Sequence, residues 1–349
     1  MMLKTRGYAA QTARSPLEPF TFSRREVGAE DVLIRIEYCG ICHSDLHQAR
    51  DEWGGAIFPM VPGHEIVGTA VEVGQAVTLI RKGERVGVGC FVDSCRTCDQ
   101  CRKGLEQYCD GPIVFTYNSL EKDGATPTYG GYSNQLVVDQ HYVVRIPSQL
   151  APERAAPLLC AGITTYSPLR HWGVGKGDTL GVIGLGGLGH MAVKIGAALG
   201  ADVTIFSRST GKEQDAARLG AAQFRATSDK AAMARLKGRF DAIIDTVSAS
   251  HDYNMYLDLL KTDGTLILVG APENPLSVGA FPLLLKRRRL VGSMIGGIRE
   301  TQEMLDFCAG RNCPADVEVI PIQQVNEAYE RMLRGDVRYR FVIDMSSLR

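Results

Sequence analysis

Four closely spaced cysteines are the strongest chemical signal in the chain. Cys95, Cys98, Cys101 and Cys109 lie in the run Cys-Arg-Thr-Cys-Asp-Gln-Cys-Arg-Lys-Gly-Leu-Glu-Gln-Tyr-Cys. Thiols separated by two residues project from one tight loop, so their sulfur atoms can converge on a soft cation such as Zn²⁺ with tetrahedral geometry. This spacing predicts a metal-binding loop, but it leaves open whether the metal takes part in a reaction.

Two other interpretations of these cysteines are weaker. Disulfides would need an oxidising compartment, yet the chain begins Met-Met-Leu-Lys-Thr-Arg-Gly without an apolar signal segment, and its ten cysteines are scattered over 349 residues. An iron–sulfur motif also starts C-x2-C-x2-C, but it continues x3-C-P. Here seven residues separate Cys101 from Cys109 and Asp110 follows, so the spacing favours zinc.

The remaining cysteines and histidines form three further short motifs. These are Gly-Ile-Cys42-His43-Ser44-Asp45-Leu46-His47, Gly63-His64-Glu65 and Leu159-Cys160-Ala161-Gly162. Cys39 and Cys42 could form a redox dithiol, but a thioredoxin-type pair opens a helix in a different sequence context. Buried, inert thiols are expected at Cys39, Cys90, Cys308 and Cys313.

A glycine-rich segment predicts a second kind of site. The strand-like run 179–183 leads into Gly184, Leu185, Gly186, Gly187, Leu188 and Gly189, and a helix-like run follows from His190. Such glycines allow a tight turn, close approach of a pyrophosphate and close packing of helix on strand. The N-terminus of the following helix then faces the phosphates. The segment predicts a dinucleotide site.

The end of the next strand predicts which dinucleotide binds. An NAD site places Asp or Glu there to accept the ribose hydroxyls. In this chain the strand 203–206 is followed by Ser207, Arg208, Ser209 and Lys212, with no carboxylate. Hydroxyls and cations suit a 2′-phosphate, so NADP(H) is predicted. The alternative is that Arg208 and Lys212 are ordinary surface charges at a helix start.

Composition narrows the possible partners. The 39 basic and 39 acidic residues cancel, which gives no electrostatic reason to expect nucleic acid or an anionic membrane. The basic run Lys286 to Arg289 is typical of a solvated edge. No apolar stretch approaches the roughly 18 residues that a membrane helix needs. We expect a cytoplasmic protein that acts on small molecules.

The pattern of elements predicts an α/β protein of two domains, in keeping with its length. Short β-rich runs broken by glycine and long loops indicate a β-barrel-like first domain; these runs are 32–38, 66–73, 85–91 and 132–138. Strands at 179–183, 203–206, 242–245 and 265–269 alternate with helices, as in a doubly wound parallel sheet. Helical runs at 299–308 and 325–334 and a strand at 339–344 return the chain to the first domain.

The motifs, taken in order, resemble those of zinc-dependent medium-chain alcohol dehydrogenases. Gly-Ile-Cys-His-Ser-Asp-x-His, Pro-Gly-His-Glu, the four-cysteine lobe, Leu-Cys-Ala-Gly-Ile-Thr and Gly-Leu-Gly-Gly-Leu-Gly-His all occur, followed by Gly-Ser-Met-Ile-Gly-Gly-Ile-Arg-Glu-Thr-Gln-Glu-Met. The chain is most similar to the cinnamyl alcohol dehydrogenase-like subgroup of NADP-dependent aldehyde reductases. This implies a GroES-like catalytic domain (1–152 and 292–349), a Rossmann domain (153–291) and a homodimer.

The resemblance also implies two zinc ions per chain. Cys42, His64 and Cys160 would hold a catalytic zinc with one position open. Glu65 would enter that position in resting forms, and Asp45 would fix the tautomer of the histidine ligand. The lobe at about 93–111 would hold a structural zinc, because its four thiolates leave no position for substrate.

By the same resemblance, the reaction is reversible hydride transfer between nicotinamide C4 and an aldehyde carbon. The zinc acts as Lewis acid, and Ser44 and His47 relay the proton. Further cofactor contacts are implied at Thr164, Val269, Gly270, Ser293 and Ile295. Trp53, Phe115 and Leu159 are substrate-pocket candidates, with simple packing as the alternative.

Phe115 bears on the substrate preference, and the zinc ligand set bears on whether the protein is an enzyme. Phe115 stands where plant cinnamyl enzymes often carry Trp, which leaves a phenylpropenyl preference open, and an apolar pocket for aliphatic or aromatic aldehydes is expected. A non-catalytic NADPH-binding stress or structural protein of the same fold is the other interpretation. The full ligand set Cys42, His64 and Cys160 speaks against it, because proteins of that kind lack these ligands.

Overall fold

A computed structural model describes residues 2–208, 210–272 and 274–348. Ser209, a predicted cofactor contact, lies outside the described residues. Contacts divide the chain into two compact units, Met1–Cys160 with Gly296–Arg349, and Ala161–Ile295. The domain boundaries predicted at 152/153 and 291/292 stay predictions. Among the described residues, none of the helices combines the length and apolar character needed to span a bilayer.

The first part of the chain consists mainly of strands. They are β1 (Leu3–Ala10), β2 (Leu17–Arg24), β3 (Asp31–Gly40), β4 (Ile66–Val73), β5 (Arg85–Val88), β6 (Phe91–Asp93), β7 (Val114–Phe115), β8 (Gln135–Asp139) and β9 (Val144–Arg145). The helices α1 (His43–Ala49), α2 (Asp99–Arg102) and α3 (Pro152–Ala155) are short. The strand predicted over 85–91 is two strands. Between them the backbone at Gly89 approaches Leu159 so closely that a Cβ would lie 2.9 Å from the Leu159 carbonyl oxygen.

The second unit contains a doubly wound sheet, as predicted. Its elements are α4 (Ala161–His171), β10 (Thr179–Ile183), α5 (Gly187–Leu199), β11 (Asp202–Ser207), α6 (Glu213–Leu219), β12 (Gln223–Ala226), α7 (Lys230–Ala234), β13 (Phe240–Asp245), α8 (Tyr253–Leu259), β14 (Leu260–Leu268), α9 (Ala280–Leu284) and β15 (Arg289–Gly292). The strands run parallel in the order β12-β11-β10-β13-β14-β15. This order places β10 beside β13, at the topological switch point where such sheets bind dinucleotides.

The last part of the chain returns to the first unit. It forms α10 (Ile298–Gly310), β16 (Val317–Pro321), α11 (Val325–Leu333) and β17 (Arg340–Asp344). Helix α11 buries Val325, Ala328, Tyr329 and Met332, which is the spacing of one helical face. Strand β17 then pairs in parallel with β16 and antiparallel with β3, which completes a seven-stranded sheet.

Strand β3 is the centre of this sheet and brings the reactive motifs together. It pairs with β8 along its first half and with β17 along its last residues, while β4 pairs along its other edge. The register sets Cys39 opposite Ile66, and the Gly40 N–H donates to the Glu65 carbonyl at 2.9 Å. The residues after β3 and those before β4 therefore meet at the same end of the sheet.

Candidate metal centre and cofactor site

The first unit contains a buried cluster of potential metal ligands. One ligand atom from each of Cys42, His64, Glu65 and Cys160 lies within 4.8 Å of all the others. The Cys42 and Cys160 sulfur atoms are 3.9 Å apart. Two thiolates bound to one tetrahedral zinc would be about 3.8 Å apart, so the sulfur spacing fits such an ion. The structure thus brings together the three ligands predicted for a catalytic zinc.

A buried carboxylate orders this cluster. Asp45 lies in the first turn of α1 and accepts the Cys42 N–H at 2.8 Å, which satisfies a free donor at the helix start. It also accepts the Gly63 N–H at 3.1 Å and the Tyr132 hydroxyl at 3.3 Å. Its Oδ1 lies 3.1 Å from His64 Nδ1. The other ring nitrogen, Nε2, is therefore the one left for a metal.

The charges around His64 oppose one another. Burial disfavours the imidazolium most strongly, but Asp45 together with the thiols of Cys90 and Cys42 favours it, and the pKa of His64 is raised well above its usual value. The thiol of Cys160 hydrogen-bonds to Cys42 and lowers the pKa of Cys42, and the nearby guanidinium of Arg340 acts in the same direction. A stabilised Cys42 thiolate is the form that binds zinc.

Glu65 lies in the same cluster beside a buried arginine. Its Oε1 pairs with Arg340 Nη2 at the start of β17, and both side chains are almost completely buried. The second oxygen, Oε2, is buried and has no hydrogen-bond partner in the described chain. An unpartnered anionic oxygen among three ligand side chains is a second observation that fits a cation at this position.

The four cysteines of the lobe also converge. Cys95 and Cys101 have sulfur atoms 3.9 Å apart, and so do Cys98 and Cys109. Backbone N–H groups of Thr97 and Cys98 lower the pKa of Cys95 to about 6. Burial instead raises the pKa of Cys101 to about 12. The pairwise spacings match those around a tetrahedral zinc.

The second unit contains a cavity of about 610 Å³ where β10 meets its glycine loop. Gly184 has φ +86°, which favours glycine, and a Cβ on Gly189 would lie 2.3 Å from the Gly184 carbonyl oxygen. Six predicted contacts line the cavity, namely Gly184, Leu185, Gly186, Ser207, Arg208 and Lys212. Gly187, Leu188 and Gly189 form the first turn of α5. Lys212 donates to the Leu185 carbonyl at 2.9 Å.

Two family models match this chain. The model of the alcohol dehydrogenase GroES-like domain matches residues 28–148, and that of zinc-binding dehydrogenases matches residues 187–310. An NADP-dependent alcohol dehydrogenase C of Mycolicibacterium smegmatis is 59% identical over 98% of both chains. The chain belongs to the zinc-dependent medium-chain alcohol dehydrogenases. The family and fold class predicted from the sequence are thereby confirmed, including the cinnamyl alcohol dehydrogenase-like subgroup.

Other relatives agree with this assignment. An aldehyde reductase of Escherichia coli is 54% identical over 99% of both chains. A cinnamyl alcohol dehydrogenase from Sorghum bicolor superposes with a TM-score of 0.96 at 47% identity, and both chains are 99% covered. An enzyme from Helicobacter pylori, solved as a complex with NADP(H), gives 0.93 at 44% identity and the same coverage.

In this dehydrogenase, α1 carries the two residues predicted for proton relay. The Ser44 hydroxyl lies 3.6 Å from the Cys42 sulfur. His47 is half-buried, and its Nδ1 pairs with Glu52. Sequence reasoning missed Glu52, because residues five apart do not share a helical face; the chain after α1 turns back so that the Glu52 N–H donates to the His47 carbonyl at 2.9 Å.

The structure separates the predicted substrate residues by exposure. Trp53 is 52% exposed and its ring stacks on His47 with centroids 5.2 Å apart, while Phe115 is 40% exposed in β7. Leu159 is a core residue that packs against Gly87 and Gly89. Trp53 and Phe115 therefore expose apolar surface, and Leu159 does not.

The remaining predicted cofactor contacts of the dehydrogenase lie outside the cavity. Thr164 is buried in α4, and the Val269 and Gly270 N–H groups donate to the Asp245 carbonyl. Ser293 donates to the Leu268 carbonyl, and Ile295 has φ +40°. None of these five is among the residues that line the cavity within the described chain. Their proposed role rests on the family resemblance.

Sequence reasoning also missed part of the cavity wall. Thr246, Val247, Ser250 and His251 line it from the segment after β13, and Tyr256 does so from α8. The position of that segment at the end of a parallel strand next to β10 was an available signal, because ligands bind at this edge of the sheet.

Proposed function

We propose that this enzyme is an NADP(H)-dependent alcohol dehydrogenase or aldehyde reductase that interconverts small aldehydes and primary alcohols. The buried cluster of Cys42, His64 and Cys160 carries the proposal, since two thiolates and one imidazole form a known catalytic zinc set. The names of the relatives from Mycolicibacterium and Escherichia support it. When bound, zinc supplies a Lewis acid for the carbonyl oxygen and NADPH supplies hydride.

The side chains of the chain itself hold the site ready for this chemistry. Cys42 and Cys160 present sulfur atoms at ligand spacing, and Asp45 orients His64 through Nδ1. Arg340 balances the charge of Glu65, so its carboxylate can lie buried among the ligands. The exposed aromatic rings of Trp53 and Phe115 offer apolar surface for the substrate.

We further propose that Ser44 and His47 move the proton of the reaction. Both lie on α1 three residues apart, which places them on one face of the helix. Ser44 Oγ holds the proton beside the metal ligands, and His47 exchanges it with solvent. Glu52 positions the ring of His47 through Nδ1.

Replacing His47 with Ala is expected to lower kcat for aldehyde reduction at neutral pH by about 10-fold or more, since positioned proton transfer contributes about 10²–10⁴-fold. Imidazole added to the assay should restore part of the rate. Steady-state kinetics with and without imidazole test this. His141→Ala, which removes an exposed histidine from the same unit, is the matched control. Wild-type turnover in the His47 variant would refute the relay.

We propose that the cavity binds NADP(H) rather than NAD(H), through Ser207, Arg208 and Lys212. NADPH and NADH consumption measured with aliphatic, benzylic and cinnamyl aldehydes tests both the reaction and the cofactor. We expect turnover with a clear NADPH preference. No turnover with any aldehyde would favour a non-catalytic NADPH-binding protein.

Arg208→Ala should lower the ratio of kcat/KM for NADPH to that for NADH by about 10-fold, because a hydrogen bond to a charged group contributes about 1.5–3 kcal/mol. The exposed Arg170 at the end of α4 provides the control variant, Arg170→Ala. An unchanged ratio in Arg208→Ala would exclude the arginine as a contact of the 2′-phosphate.

We propose three further properties. Both cysteine clusters bind zinc, which makes two ions per chain, and metal analysis can count them. The ten cysteines all lie among the described residues and none of them forms a disulfide, which suits a reducing compartment such as the cytoplasm. The chain forms a homodimer, which solution light scattering can test. Support comes from the edge strand β15, which pairs only with β14 in the described chain, and from the nearby exposed Phe281, Leu284 and Leu285.

A further inference from the structure

One wall of the dinucleotide cavity is a short segment that follows β13. Thr246, Val247, Ala249, Ser250 and His251 all line the cavity from this segment. The glycine loop and the cations proposed to bind phosphate line the same cavity. The conformation of the segment therefore decides the shape of the space available to the cofactor.

His251 closes this segment into a compact turn. Its Nδ1 lies 2.9 Å from the carbonyl oxygen of Ala249, and its Nε2 lies 3.1 Å from Oδ2 of Asp245. Asp245 is the last residue of β13 and is almost fully buried, and its Oδ1 accepts the N–H of Val247 at 3.0 Å. The carboxylate thus holds both ends of the segment.

The two ring nitrogens of His251 have different contacts: Nδ1 is hydrogen-bonded to the Ala249 carbonyl, whereas Nε2 makes no hydrogen bond within the described chain and lies at ion-pair distance from the Asp245 carboxylate. A neutral imidazole carries one N–H, so it would turn a lone pair either toward the Ala249 carbonyl or toward the Asp245 carboxylate. Only the imidazolium is attracted to both. Burial opposes this charge, but the contact with Asp245 and the Ala249 carbonyl outweighs it and raises the pKa of His251 above its ordinary value of 6.5.

The charged and aromatic groups around the His251 ring come from β13, from the segment after it and from α8. Asp252 follows it in the chain and favours the cation, as Asp245 of β13 does. Tyr253 and Tyr256 of α8 pack against the ring with centroids 4.4 and 5.6 Å away. Within the described chain, Arg208 and Lys212 are the other cations of the cavity lining.

We propose that His251, held as an imidazolium between Asp245 and Ala249, is a positioning residue for NADP(H) that makes cofactor binding weaken as pH increases. The proposal rests on the proposed cofactor site. Protonated His251 fixes the turn and adds positive charge to a cavity that receives phosphates. Because the pKa is raised, the cation is present below pH 6.5 and is lost as pH increases through the raised value. The turn then loses its ionic contact.

The test is the dissociation constant of NADPH for the full-length enzyme between about pH 6 and pH 9, read from nucleotide fluorescence. In the wild type we expect the constant to rise about 5-fold or more over this range, as for a modest coupling between two sites. In His251→Gln it should already be high at the lowest pH and change less. His141→Gln removes a histidine that also pairs with an aspartate, and it should behave as wild type.

A second variant separates positioning from a merely structural role. Asp245→Asn keeps an acceptor for the Val247 N–H but removes the charge beside His251. The rise in the dissociation constant should therefore occur at lower pH than in the wild type, in protein whose circular dichroism shows it to be folded. NADH, which lacks the 2′-phosphate, should show the same shift and so exclude ionisation of the ligand as its cause.

Two results would overturn the inference. One is the same pH dependence in wild type and His251→Gln, and the other is an unshifted midpoint in Asp245→Asn. If the wild type binds NADPH normally, either result excludes the positioning role of His251 and leaves the proposed function unaffected. A wild-type enzyme that binds no NADPH at any pH would instead contradict the proposed function.

Discussion

Replacing Cys160 with Ser is expected to lower kcat/KM by at least about 100-fold and to remove one zinc per chain. Loss of a residue that hydrogen-bonds to a metal ligand already lowers metal affinity or activity by about 10–100-fold, so loss of the ligand itself should have a larger effect. Cys160 is buried with its sulfur 3.9 Å from that of Cys42, and a serine hydroxyl at the same place stays protonated at neutral pH. Metal analysis and steady-state kinetics on the same preparation measure both effects.

The lobe provides the matched comparison for this prediction. Cys98→Ser should also remove one zinc per chain and lower the melting temperature, but kcat/KM of the remaining folded enzyme should stay near wild type, because the four cysteines leave no position for substrate. Cys308→Ala, a change to a buried thiol outside both clusters, should keep both ions. Full activity in Cys160→Ser, or an equal loss of activity in Cys98→Ser, would contradict this division of roles.

Arg340→Met should destabilise the enzyme by about 3–5 kcal/mol, the usual consequence of leaving one member of a buried ion pair without its partner. Glu65 is fully buried and its Oε1 pairs with Arg340, so replacing the guanidinium leaves a buried carboxylate without this cationic partner. Urea unfolding followed by circular dichroism measures the change in the free energy of unfolding.

A double variant shows whether the pair itself is the cause. Arg340→Met combined with Glu65→Gln removes both charges and should recover part of the lost stability. Arg299→Met is the surface control, because Arg299 and Glu303 are 73% and 60% exposed and such pairs contribute about 0–1 kcal/mol. The explanation fails if Arg340→Met unfolds at the same urea concentration as the surface control.

The cofactor pocket shows how far a local motif can be followed. The glycine run 184–189 after a strand predicted the turn and a following helix, because those conformations depend on neighbouring backbone dihedral angles. The helix α5 begins at Gly187, three residues before the predicted start at His190. Ser207, Arg208 and Lys212 were predicted from their place after the next strand and do line the cavity. The wall from Thr246 to His251 was missed, since no residue type in that segment marks a phosphate site.

The strand predictions failed where long-range packing decides the outcome. The run 85–91 has the β-rich composition of a single strand, yet it divides into β5 and β6 where Gly89 meets Leu159. Strands β1 and β2 were not predicted, and they pair with each other as a hairpin-like sheet of two strands. Pairing energy comes from the partner strand, which local composition does not identify.

The sequence by itself determined the lobe and the glycine loop, because the residues of each lie in one short continuous segment. Their spacing along the chain therefore indicates the geometry without knowledge of distant contacts. It also placed Cys42, His64 and Cys160 as ligands through family resemblance. Only the tertiary structure decided that Arg340 meets Glu65, 275 residues away, and that His251 folds back on Asp245. These contacts depend on the register of β17 on β3 and on the turn after β13, so they form only when the sheets assemble.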